Sequence, residues 1–108
     1  MINLKSLIDV IPSKKHEFLQ SLRELKPIIL NKKGCKQFLF SEHITKKNVI
    51  VINENWNKDE NLLDYIYSNH FRVFFGALKF LTQSTKMNIS KGTQTFKLDL
   101  NNETTLDR

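Results

Sequence analysis

Apolar and polar positions alternate over residues 2–11, "INLKSLIDVI". Ile2, Leu4, Ile8 and Val10 share one face and Leu7 and Ile11 the other, which predicts a strand. Pro12-Ser13 breaks it, and Ser13 is placed to cap the next helix. From about Lys14 to Asn31 the spacing changes: Phe18, Leu22, Leu25 and Ile29 recur at helical intervals. Pro27 removes a hydrogen bond and crowds the preceding turn, so a kink or a loosened last turn is expected there, not an end. Gly34 supplies a turn residue. Residues 35–44, "CKQFLFSEHI", and 48–56, "NVIVINENW", read as two strands joined as a hairpin through Thr45-Lys46-Lys47. Val49 and Val51 oppose Ile50 and Ile52, and Phe38 and Phe40 oppose Cys35 and Leu39. Apolar residues on both faces predict a sheet covered on both sides. The chain's own helices can cover one side, which leaves the other for a partner subunit.

Lys58-Asp59-Glu60 opens a helix with acid in its first turn, as the helix dipole favours. Leu62, Leu63 and Ile66 form its apolar side. A break at Ser68-Asn69 leads into a helix over residues 70–82, with Phe71, Phe74, Phe75, Leu78 and Leu81 as its stripe. After it come a strand at about 85–90, a turn at Lys91-Gly92 and an extended "TQTFKL". The order is βαββαβ with a split second helix. It predicts a ferredoxin-like α+β sandwich, an antiparallel sheet with helices on one face. Residues 1–100 form a single domain and 101–108 a polar tail.

Composition narrows the function classes. With 40% hydrophobic and 26% charged residues the chain is an ordinary globular one. No apolar run approaches the roughly 20 residues of a membrane helix, and the N-terminus reads as a strand instead of a signal peptide. The single cysteine, Cys35, cannot form an internal disulfide, which fits a reducing cytoplasm. The net charge of +6 is scattered over Lys14-Lys15, Lys32-Lys33 and Lys46-Lys47, at turns and element ends. Scattered charge is a solvated surface, not a nucleic-acid footprint. An RNA-binding domain shares this element order but needs aromatic platforms on its central strands, and "NVIVINENW" has none.

Several residues carry candidate chemistry. His70 borders the aromatic stripe, about 40° around the helix from Phe74. It is either a helix cap or a group that holds or deprotonates a phenol near neutral pH. Trp56 is either packing or a flat wall for an aromatic ring. Glu54 shares its strand face and is expected to pair with a lysine or arginine, with a base as the alternative. Asn53 and Asn55 fall on the opposite face, where they can bond across a dimer. Tyr65 and Tyr67 are placed near a pocket rim, and Arg72 is a surface charge by default. His16 and His43 have no partner at ligand spacing, so no metal is expected. Neither a phosphate loop nor a dinucleotide fingerprint is present, so no cofactor is expected.

Taken in order, Gly34-Cys35, Glu54-Asn55-Trp56, Asp59-Glu60 and Ser68-Asn69-His70-Phe71 resemble the antibiotic biosynthesis monooxygenase family. The resemblance runs from the first strand to the last helix. It implies a dimeric α/β barrel in which two sheets pack face to face, with a pocket in each subunit between sheet and helices. It implies a cofactor-free monooxygenase that oxidises a small electron-rich aromatic, a quinol or polyketide-like ring, with oxygen. His70 and Asn55 would be catalytic, and Trp56, Phe74, Tyr65 and Arg72 would bind substrate. The alternatives are a non-catalytic small-molecule-binding or structural dimer, and an isomerase or haem-handling member of the superfamily. The haem-degrading branch is similar in fold but places a ligating histidine where this chain has Phe75, and an asparagine opposite its tryptophan where this chain has Lys5-Ser6-Leu7.

Overall fold

The alternating segment at the N-terminus becomes the central strand. In the computed structural model, which describes residues 1–98, β1 (Ile2–Val10) pairs antiparallel with both β3 (Val49–Trp56) and β4 (Thr82–Lys91). β2 (Cys35–Glu42) extends the sheet beyond β3, and β5 (Gln94–Leu98) extends it beyond β4. The strand order is β2-β3-β1-β4-β5. With α1 (Lys15–Leu30), α2 (Asp59–Ile66) and α3 (Asn69–Leu81) this is the expected ferredoxin-like α+β fold, carrying an added edge strand. The polar tail expected at 101–108 lies outside the described residues. Among the described residues no helix is long and apolar enough to cross a membrane.

Strand periodicity decides which side chains meet the helices. Ile2, Leu4, Ser6, Ile8 and Val10 of β1 and Ile50, Ile52, Glu54 and Trp56 of β3 are all buried. Phe18, Leu22 and Ile29 of α1, Leu62, Tyr65 and Ile66 of α2, and Phe71, Leu78 and Leu81 of α3 share one core with them. Burial of this much apolar surface, at about 25 cal/mol per Å², is the main favourable contribution to the fold.

The opposite sheet face departs from the expectation. It is mixed, not apolar throughout. Leu7, Leu39, Val49 and Val51 lie there, but so do Asn3, Lys5, Gln37, Asn53, Asn55 and Asn88, as the strand registers require. The valines of β3 give way to asparagines in its second half, and Leu39 is 47% exposed in the single chain.

Smaller differences have local causes. Ser13 caps nothing; it sits inside a 3-10 turn, Pro12–Lys14, and Lys14 is the N-cap of α1. The helix runs through Pro27 to Leu30. β2 stops at Glu42 because His43 organises the turn, its Nδ1 accepting the N–H groups of Thr45 and Lys46, each at 3.1 Å. Asn48 closes that hairpin with a left-handed φ of 66°. Leu63 is exposed, and Asn61 and Tyr65 are buried in α2 instead. The Leu62-Tyr65-Ile66 stripe faces the core, Asn61 is covered by the Gly34 turn, and Leu63 falls on the outer side.

Candidate functional site

Residues 54–56 end β3 and split across the sheet. Glu54 and Trp56 point under the helices, while Asn55 points to the other face. Trp56 is fully buried, and its indole Nε1 donates to Glu54 Oε1 at 3.3 Å. Tyr65 of α2 stacks on the indole with ring centroids 4.6 Å apart. The Tyr65 side chain influences the ionisation of the same carboxyl. From Tyr65 an aromatic wall continues along α3: Phe71 meets it edge-on at 5.1 Å, and Phe75 lies 4.2 Å from Phe71. Phe74 is 5.1 Å from Phe75, and Phe18 of α1 is 6.4 Å from Phe74.

Glu54 is 3% exposed, and among the described residues no lysine or arginine pairs with it. The ion pair expected from sequence is absent there. Burial pushes its pKa up from an ordinary 4.5 to about 8, while the bonds from Trp56 and Tyr65 pull the other way. The same carboxyl acts on its neighbours. The Cys35 thiol is held high first by burial and then by Glu54. Tyr65 is held well above its usual range by burial, then by Glu54 and Cys35.

The loop before β2 brings cations to this cluster. Gly34 has a φ of +85°, and a Cβ built there would fall 2.3 Å from Asn61 Cγ. Only glycine allows both the left-handed turn and the close approach to α2. Its carbonyl accepts the N–H of Asn57 at 2.7 Å, tying the loop to the end of β3. Lys32 and Lys33 therefore stand over a groove of about 160 Å³ completed by Trp56, Asn61, Asp64 and Tyr65. A larger, more open groove of about 440 Å³ runs between Pro27, Ile28, Asn31, Lys32 and His70. Lys32 belongs to both.

The remaining candidates are dispersed. His70 is exposed and does not cap its helix; Ser68 does, accepting the Phe71 N–H at 3.2 Å while donating to the Tyr65 carbonyl at 2.6 Å. Arg72 is exposed and Phe74 half-buried. His70 and Trp56 line different grooves. Tyr65, expected near a rim, is a core residue whose edge reaches the smaller groove. Asn55 is not brought to either groove. Its side chain accepts from Asn3 Nδ2 at 3.0 Å and donates to Gln37 Oε1 at 2.6 Å, on the open sheet face. Glu54 is the residue the sequence undervalued: its two-residue spacing from Trp56 placed it on the buried face, but nothing in the sequence showed that it would have no ion pair among the described residues. Among the described residues no three His, Cys, Asp or Glu side chains gather as a metal-binding group.

This arrangement, an aromatic wall under a split helix with E-x-W at a strand end, sits inside a wider likeness. The model of the antibiotic biosynthesis monooxygenase family matches residues 1–77. The chain belongs to that family. Solved structures share the fold at low identity. A proposed antibiotic biosynthesis monooxygenase from Deinococcus radiodurans is 16% identical with a TM-score of 0.81, over 92% of this chain and 99% of that one. A conserved protein from Methanosarcina mazei Go1 is 24% identical with a TM-score of 0.78, over 83% and 90%. A conserved protein of unknown function from Bacteroides thetaiotaomicron is 23% identical with a TM-score of 0.71, over 90% and 96%. No curated protein matches the chain. Membership of the antibiotic biosynthesis monooxygenases thus fixes a monooxygenase-type fold, and one fold hosts several chemistries.

Proposed function

We propose that the protein is a cofactor-free monooxygenase acting on a small electron-rich aromatic, a quinol or an anthrone-like ring, with dioxygen as the only co-substrate. The observation that carries this reading is the wall Trp56-Tyr65-Phe71-Phe75-Phe74, whose Trp56–Tyr65 end lines the smaller groove beside Lys32, Lys33, Asn61 and Asp64. Such a wall stacks a flat ring, and few polar groups are needed to orient it. For an anthrone the two C–H bonds of the central methylene are replaced by one C=O. One oxygen atom of O₂ enters the product and the other leaves as water, so electrons balance without a reductant. The protein's part is to favour the substrate anion, which gives an electron to oxygen.

His70 is the proposed group for a substrate hydroxyl at the larger groove, with Arg72 beside it on the first turn of α3 and Phe74 behind. Trp56 and Tyr65 are the proposed walls at the smaller one. Asn55 is proposed as an interface residue, because its amide is already engaged on the open sheet face, where a second copy of the chain would pack. The working form is a cytoplasmic homodimer.

A second reading has one observation in its favour. The smaller groove, at about 160 Å³, is below the roughly 300 Å³ of ordinary ligand pockets. A structural or ligand-carrying dimer would need no more. Oxygen uptake with a panel of quinols and anthrones separates the two. Substrate-dependent uptake by the purified protein supports the oxygenase, and its absence across the panel supports the second reading.

A further inference from the structure

Asn61, in the first turn of α2, lines the smaller groove while only 6% exposed. Among the described residues its side-chain amide makes no hydrogen bond, yet neither amide atom is sealed from solvent. A buried amide without a partner costs free energy, and the groove is the open space it lines. We propose that this groove is a carboxylate subsite, which takes the acid group of a single-ring hydroxylated aromatic monocarboxylate on Lys32, Lys33 and Asn61. The aromatic ring rests on the oxygenase reading above; the acid group is new and is tested apart from turnover.

The fold sets this amide and its charged neighbours in place. The Cβ that Gly34 lacks would overlap Asn61, so the turn packs directly on that side chain and orders it before a ligand arrives. The same turn brings Lys32 and Lys33 to the groove. Lys32 is half-buried and Lys33 exposed, and among the described residues neither forms an ion pair. The other charged lining residue, Asp64, is exposed and likewise without an ion pair among them. Two ammonium groups and one carboxylate leave the lining with a net charge of +1. A monoanion cancels that charge, a dianion overshoots it, and a neutral molecule leaves the lysines unpaired. The wall is the stacked Trp56–Tyr65 pair. At about 160 Å³ the groove suits one ring, not a fused system.

Each group has a stated part. The ligand's carboxylate oxygens accept from the ammonium groups of Lys32 and Lys33 and from Asn61 Nδ2. Bonds of this charge-assisted kind are roughly twice as strong as neutral ones. The lysines are long and adaptable, so the packed amide gives the direction. The Asp64 carboxylate accepts the ring hydroxyl. No covalent bond forms or breaks. Lys32 also lines the larger groove, so the bound acid sits at the border of the two grooves.

The test needs no turnover. Trp56 is the chain's single tryptophan and lines the groove, so its fluorescence reports binding there. At fixed ionic strength 4-hydroxybenzoate, 4-hydroxybenzamide and inorganic phosphate are titrated onto the wild type. 4-Hydroxybenzoate is also titrated onto Lys32→Gln, Lys33→Gln, Asn61→Asp and Lys47→Gln, with melting curves to verify folding. Asn61→Asp keeps the side chain's shape against Gly34 and exchanges its donor for a negative charge. Lys47 lies in the turn before β3, at the opposite end of that strand from Trp56, and controls for diffuse attraction. The expected result is saturable binding of 4-hydroxybenzoate, with at least about tenfold weaker binding of the amide. Lys32→Gln and Asn61→Asp should lose at least about tenfold, Lys33→Gln less, and Lys47→Gln nothing. If Asn61→Asp does not fold, the two groove lysines against Lys47 decide. No binding by the wild type, an amide that binds as well as the acid, or an equal loss in Lys47→Gln would overturn the subsite. Phosphate binding as tightly as the acid would overturn it in favour of a general anion site. Should oxygen uptake fail while this binding pattern appears, the oxygenase reading falls and the carboxylate subsite stands.

Discussion

The Trp56 indole donates a hydrogen bond to Glu54, two residues away on the same strand face, and both side chains are buried beneath α2. The indole thus serves as a partner for a carboxyl that has no cation among the described residues, while its face carries Tyr65. One bond to a neutral donor offsets only part of the cost of burying a charge, which is why the carboxyl is held protonated toward pH 8.

That relationship makes stability depend on pH in a stated direction. The folded pKa of Glu54, about 8, lies above the ordinary 4.5 of the unfolded chain. Stability from this group is fully present below about pH 4.5 and is lost as pH rises through about 8, with a slope of up to about 1.4 kcal/mol per pH unit between them. Glu54→Gln should remove this component. Urea midpoints for both proteins from pH 5 to 9 should diverge, with the variant increasingly the more stable. Parallel curves would mean that Glu54 titrates normally.

Helix α3 should separate packing from chemistry. Phe71 is 5% exposed and touches both Tyr65 and Phe75, so Phe71→Ala should cost about 3–5 kcal/mol. His70 is exposed, and His70→Ala should change stability by less than about 0.5 kcal/mol while lowering quinol oxidation. Denaturant unfolding and oxygen uptake on both variants check this. A His70→Ala protein that is unstable but fully active per folded molecule would assign His70 to structure.

The open sheet face should hold a second copy. Val51 sits there between Leu7 on β1 and Ser41 on β2. Val51→Lys places a charge amid the proposed interface and should shift sedimentation from dimer to monomer at micromolar concentration, since buried unpaired charge is costly. A wild-type protein that sediments as a folded monomer would overturn the dimer.

Much of the fold was legible because its elements are long and periodic. β1 showed its two faces in "INLKSLIDVI", and the α3 stripe was readable from Phe71 to Leu81. Ser68 before that helix was a visible break and proved to be its cap. What escaped the sequence was partner identity. Alternation alone put Glu54 beside Trp56, but the lack of a cation partner among the described residues depends on how the Lys32-Lys33-Gly34 loop folds against α2. The mixed open face was present in the letters: Asn53 and Asn55 share parity with Val49 and Val51, and the valines alone suggested an apolar surface. In α2, eight residues are too few for periodicity to choose between Leu63 and Tyr65; contact with Trp56 makes that choice.

The most direct measurement of the central claim is the fate of labelled oxygen. Purified, chelator-treated protein is incubated with an anthrone under ¹⁸O₂, and the quinone product is weighed by mass spectrometry. Cofactor-free monooxygenation predicts one ¹⁸O atom in each product molecule, with undiminished rate after chelation. Product carrying only solvent oxygen, or no product above the protein-free control, would contradict it.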